Sequence, residues 1–102
     1  RLSYGDIEIN LTEYKVARNQ RAVVLGPTEF RLLRHFMEHP GWGFLRDQLI
    51  DSVRGHGIFI DSRTVNVHIR RLRKVLNAVG EQDVIRTVRS AGYALDAAAT
   101  TA

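Results

Sequence analysis

Cysteine is absent from this 102-residue chain, which excludes disulfide staples, thiolate zinc sites and a cysteine nucleophile, and fits a reducing compartment. No apolar run approaches the roughly 20 residues needed to cross a bilayer, and no signal-peptide pattern opens the chain, so no membrane partner is expected. Internal repeats and low-complexity tracts are also missing. So are a Gly-rich phosphate loop, a nucleophile elbow and a paired-carboxylate site. The chain is therefore expected not to be an enzyme, and to need no cofactor and no metal. With 44% hydrophobic and 25% charged residues, one domain built around an ordinary core is expected.

What is present is positive charge in one place. The formal net charge is +4, yet residues 1–62 carry eight basic and eight acidic side chains and balance. Residues 63–89 carry Arg63, Arg70, Arg71, Arg73, Lys74, Arg86 and Arg89 against Glu81 and Asp83 alone. Thirteen of the fifteen basic residues are arginine, whose planar five-donor fork suits phosphate and guanine better than an ammonium does. Such a patch points to a polyanion, most often nucleic acid. A solvated charged face is the plain alternative.

Local patterning places that patch. Residues 2–4 and 7–9, and residues 15–18 and 21–25 around Asn19-Gln20, read as short antiparallel hairpins. Gly26-Pro27-Thr28-Glu29 opens a helix over 27–39, with Phe30, Leu33, Phe36 and Met37 as its apolar stripe and Pro40-Gly41 as its stop. A second helix is expected over 46–54, poorly capped by Leu45, with Leu49, Ile50 and Val53 turned inward. Trp42 and Phe44 are expected in a small core. After Gly55-His56-Gly57, either Asp61 or Ser62 caps a third helix over about 63–79. Runs at 84–89 and 93–96 then form a hairpin around Ser90-Ala91-Gly92, and residues 97–102 are expected to fray. The fold class is α+β: strands over 1–26, three helices over 27–79, and a hairpin over 84–96. The last two helices make a helix-turn-helix and the hairpin its wing.

On the third helix Val65, Ile69, Leu72 and Leu76 share one face, with Val79 beside them. Arg63, Asn66, Val67, Arg70 and Lys74 fall opposite, flanked by Arg71 and Arg73. A helix of this kind fits the major groove, where central arginines reach guanine and flanking ones reach phosphates. Asn66 can serve adenine or a phosphate, and Val67 a thymine methyl. Docking on an anionic membrane or in a partner groove is opposed by a narrow stripe without aromatics. RNA is the stronger rival, but no aromatic platform for stacked bases is evident. In the wing, Arg89 and, more weakly, Arg86 can reach an adjacent minor groove.

The strings LGPTEFRLL (25–33), RTVNVHIRRLRK (63–74) and IRTVRSAGYAL (85–95), in that order and spacing, resemble the effector domain of OmpR/PhoB-type response regulators, over the chain up to Asp96. The resemblance implies a winged helix with an N-terminal four-stranded antiparallel sheet. It implies a cytoplasmic transcription factor of a bacterial two-component system, nearest to members that control phosphate-responsive genes. A phosphorylatable receiver domain precedes this one in such proteins and is absent from this fragment. They bind double-stranded DNA head to tail on direct repeats, and the isolated domain is expected to be a monomer. Carried over by position, Arg71 reads guanine and Val67 touches a base. Arg63, Thr64, His68, Arg70 and Arg73 approach phosphates. Arg89 enters the minor groove, while Thr87 and Tyr93 reach the backbone. The loop of Arg54, Gly55, His56, Gly57, Ile58, Phe59, Ile60 and Asp61 would touch the RNA polymerase sigma factor. Two positions depart from the nearest members: Asn66 stands for an aspartate and Arg54 for a tryptophan.

A second reading makes the domain mainly an interaction module, with Ile58-Phe59-Ile60 as an apolar docking run or as packing beneath the helices. His35-Phe36-Met37-Glu38-His39 matches an inverted zinc-protease pattern. It lacks an evident third ligand and reads as the polar edge of a core helix. His68, at the border of the apolar stripe, reads as a packed or phosphate-touching histidine.

Overall fold

The computed structural model describes residues 1–89 and 92–96; the tip of the wing expected at 90–91 and the fraying expected at 97–102 lie outside the described residues. Strands β1 (Leu2–Tyr4), β2 (Ile7–Asn10), β3 (Lys15–Arg18) and β4 (Arg21–Val23) form one antiparallel sheet in chain order. The Arg18 and Arg21 pairing closes a two-residue link whose Asn19 and Gln20 both take positive φ, 51° and 67°, as a hairpin that follows the strand twist requires. Helices α1 (Pro27–Glu38), α2 (Arg46–Arg54) and α3 (Ser62–Leu76) follow. A short strand, β5 (Gly43–Leu45), lies between α1 and α2, and β6 (Ile85–Val88) and β7 (Gly92–Leu95) complete the chain.

The helical stripes meet in one core. Phe36, Leu32 and Leu33 of α1, Leu49 and Val53 of α2, and Val65, Ile69, Leu72 and Leu76 of α3 are buried together. Ile7 and Ile9 of the first sheet and Ile85 and Leu95 of the second close its two ends. This is the winged helix-turn-helix arrangement, with the first sheet packed on α1.

Several expectations need correction. Helix α1 stops at Glu38, because the residue before Pro40 is pushed out of helical geometry, and His39 sits at φ −136°. The third helix begins one residue earlier than expected and ends at Leu76 rather than 79. Asn77 leaves the helix, Gly80 takes φ 86°, and Val79 is 70% exposed instead of joining the inner face. β4 stops at Val23, leaving Val24 exposed. Trp42 is 62% exposed, so of the expected small-core pair only Phe44 is buried. β5 was not expected at all. It pairs with β7, so the wing is the outer part of a three-stranded sheet in the order β5-β7-β6. Gly92 permits this pairing: a Cβ there would lie 1.9 Å from the Phe44 carbonyl oxygen.

Candidate nucleic-acid interface

Asp61 starts α3. Its carboxylate accepts the Thr64 amide at 2.9 Å, and Thr64 Oγ1 accepts the Asp61 amide at 3.1 Å, a reciprocal cap. The Thr64 amide holds the Asp61 carboxyl below its ordinary value. The cap therefore contributes fully above the ordinary carboxylate range and is lost as the pH falls through the depressed value. Thr64 is thus engaged at the helix start. At the other end two arginines of the first sheet converge on the last carbonyl of the helix. Arg18, 2% exposed, donates to the Leu76 carbonyl, Asn77 Oδ1 and the Gln82 carbonyl at 3.2, 2.5 and 2.6 Å, and its Nε meets Asp6 at 3.0 Å. Arg21 donates to the same Leu76 carbonyl at 3.0 Å and pairs with Glu81 at 2.6 Å. That hydrogen bond holds the Glu81 carboxyl below its ordinary value. Both ends of α3 are pinned.

Between the pinned ends the basic side chains divide. Arg70, Arg71 and Lys74 are exposed and have no hydrogen bond or ion pair with another side chain among the described residues. Arg63 is exposed and lies only loosely by Asp61, at 3.9 Å. Val67 is half-buried beside them. Arg73 is different. Its Nη2 donates to the Ile85 carbonyl at 2.7 Å and to Thr87 Oγ1 at 3.0 Å, its Nε lies 3.2 Å from Asp83, and its guanidinium stacks 5.3 Å from the Tyr93 ring centre. Arg73 therefore joins α3 to the wing and engages Thr87. Other side chains around α3 and the wing also have partners inside the protein. Tyr93 is buried, and its hydroxyl donates to Asn66 Oδ1 at 2.5 Å. Arg46 Nε donates to the same oxygen at 3.1 Å. His68 Nδ1 contacts the Glu29 carboxylate, which couples α3 to the start of α1. Arg86 pairs with Asp96 at 2.8 Å, while Arg89 is exposed.

The loop before α3 splits in two. Ile58 and Ile60 pack against the core, whereas Phe59 is 79% exposed. Arg54 lies 3.6 Å from Asp51, and Gly55, His56, Gly57 and Asp61 are exposed. Away from α3, His35, Glu38 and His39 come together with ligating atoms within 4.8 Å of one another. Glu38 is already engaged by Arg34 at 3.3 Å, and the His35 ring packs 4.4 Å from Phe44. Burial and the neighbouring His39 charge push His35 below its ordinary value, with Glu38 opposing. Among the described residues no helix is long and apolar enough to cross a membrane.

Sequence reasoning missed the part played by Arg18, Arg21 and Arg46. They sit in the charge-balanced part of the chain, and no local signal marks them. Each becomes informative only when the fold brings it to α3.

Known proteins share this arrangement. Residues 19–95 match the family described as "Transcriptional regulatory protein, C terminal". The phosphate regulon transcriptional regulatory protein PhoB of Rhizobium meliloti (strain 1021) is 56% identical over 95 residues, which are 93% of this chain and 42% of that protein. PhoB of Escherichia coli (strain K12) is 41% identical over 87 residues, 85% of this chain and 38% of that protein. The chain thus spans about two-fifths of the length of these relatives. The DNA-binding domain of the response regulator AdeR, solved in complex with an intercistronic region, superimposes with a TM-score of 0.84 at 28% identity, covering 94% of this chain and 98% of that one. The Klebsiella pneumoniae RstA DNA-binding domain, solved with its RstA box, does so with a TM-score of 0.77 at 33% identity, covering 93% and 95%. The chain belongs to the family of C-terminal domains of transcriptional regulatory proteins, the OmpR/PhoB-type response-regulator effector domains.

Proposed function

We propose that this chain binds specific double-stranded DNA as the effector domain of a bacterial two-component response regulator controlling transcription, with phosphate-responsive genes as its targets. One observation carries the reading. Arg63, Arg70, Arg71 and Lys74 stand exposed on one side of a helix whose other side is wholly buried. Among the described residues those side chains have no acidic partner that would explain them, apart from the loose contact at Arg63. A helix so held presents its cations to a major groove, while Arg89 beside it reaches the adjacent backbone or minor groove. The DNA-bound AdeR and RstA domains and the PhoB relatives support the same assignment.

Within the interface Arg71 reads guanine and Val67 touches a base; Arg63, Arg70 and Lys74 meet phosphates. Arg73 and Thr87 position the wing. His68, Thr64, Arg86 and Tyr93 are held by protein partners and act by shaping the surface. A receiver domain precedes this one in the whole protein, which works in the cytoplasm, and copies bind head to tail on direct repeats. No catalysis is assigned to the chain.

A random-sequence duplex selection tests this reading and reports whether repeats are direct. Arg71→Ala should cost about 1–3 kcal/mol on the selected site and relax preference at one base pair. An unchanged preference would remove Arg71 from base reading. Phe59, exposed beside the partly buried Ile58 and Ile60, favours a second contact, with the polymerase sigma factor. Phe59→Ala should abolish most transcription in a reconstituted assay at unchanged duplex affinity. Full transcription by the variant would refute the sigma contact.

A further inference from the structure

Asn66 lies on α3 between the exposed cations and the wing, and its carbonyl oxygen is fully used. Arg46 Nε and the Tyr93 hydroxyl both meet Oδ1, at 3.1 and 2.5 Å. A guanidinium N–H can only donate, so the atom facing it must be oxygen; a flipped amide would set two donors against each other. An amide oxygen has two lone pairs, and two donors occupy both. Arg73 Nε is the only buried side-chain polar atom without a hydrogen-bond partner among the described residues. Among the described residues Asn66 Nδ2 makes no hydrogen bond and is not such an atom, so it is open to solvent.

We infer that Asn66 presents donors alone to the duplex and recognises an acceptor: a purine N7, guanine O6, thymine O4, or a phosphate oxygen. The inference rests on the DNA-binding reading above and states what this one residue of the interface selects. The two-bond contact with adenine, which needs the amide oxygen to accept from N6, is closed to it. That narrows the expectation from sequence, in which adenine and phosphate stood as equals. It also gives Arg46 and Tyr93 a role, since these two positioning residues fix which end of the amide faces out.

The test uses three proteins: the wild type, Asn66→Asp and Asn66→Ala. Aspartate keeps an oxygen for Arg46 and Tyr93 and replaces the outward amide with an acceptor. On the duplex selected by the wild type, Asn66→Asp should bind at least roughly tenfold more weakly, and more weakly than Asn66→Ala, because an acceptor then faces an acceptor. A repeat selection with Asn66→Asp separates the two sources of the acceptor. A change from guanine or thymine to cytosine or adenine at one position identifies a base edge, and a uniform loss across sequences identifies a phosphate.

Wild-type affinity in Asn66→Asp would overturn the inference. So would a wild-type preference for adenine over guanine that Asn66→Ala abolishes, since only an accepting oxygen favours adenine N6 over guanine O6. In the free protein, the Tyr93 hydroxyl proton should be seen by NMR as a slowly exchanging resonance in the wild type and in Asn66→Asp, and be lost in Asn66→Ala. A freely exchanging hydroxyl in the wild type would also overturn it. If the wild type bound no duplex, the DNA-binding reading would fall, while the hydroxyl measurement would still judge the Asn66 hydrogen bonds.

Discussion

Replacing Arg18 with alanine should destabilise the fold by about 3 kcal/mol. The side chain is buried and serves four partners at once: the Leu76 and Gln82 carbonyls, Asn77 Oδ1 and the Asp6 carboxylate. Removing it strands acceptors that no nearby donor replaces in full, since Arg21 reaches only the Leu76 carbonyl among them. Stripping one partner from a buried charged network leaves the other groups desolvated, which costs more than the network's net worth. Against a typical total of about 5–15 kcal/mol for a small domain, the loss would be plain in urea or thermal unfolding. The same change frees the C-terminal end of α3 from the first sheet, so duplex affinity should weaken alongside stability. A stability change below about 1 kcal/mol would show that these bonds to the end of α3 do not hold the helix in place.

How far the fold could be read beforehand depended on the distance over which each signal acts. The limits of α2 were legible to the residue, because Leu49, Ile50, Val53 and the following glycine mark them within one short stretch. A cap at Asp61 or Ser62 was legible, and the structure selects Asp61, whose partner Thr64 is three residues away. The inner face of α3 followed from helical spacing alone, and with it the outward position of Arg70, Arg71 and Lys74. β5 was hidden because three residues carry no period, and its partner β7 lies about fifty residues later. Arg73 looked like a phosphate ligand on a helical projection, and only the return of β6 and β7 shows it holding the wing. Tyr93 was taken to reach the DNA backbone, yet its hydroxyl is turned to Asn66. Spacing finds the cations; the fold decides which of them remain free.

Duplex binding should depend steeply on salt. With Arg63, Arg70 and Lys74 exposed on one side of α3, Arg89 exposed after β6, and further contacts from the wing and helix ends, roughly five to eight phosphates should be neutralised. Each releases condensed counterions, so log affinity should fall against log salt with a slope of about −0.9 per contact. Between 50 and 200 mM salt the affinity for the selected duplex should thus drop by about three to four orders of magnitude. Lys74→Ala should make the slope shallower by about one, with base preference intact, while Glu8→Gln on the first sheet should leave it unchanged. Measured by anisotropy on the selected duplex, a steep slope that relaxes with Lys74→Ala is the result predicted for a cationic outer face of α3. A flat salt response, or a steep one indifferent to that substitution, would contradict it.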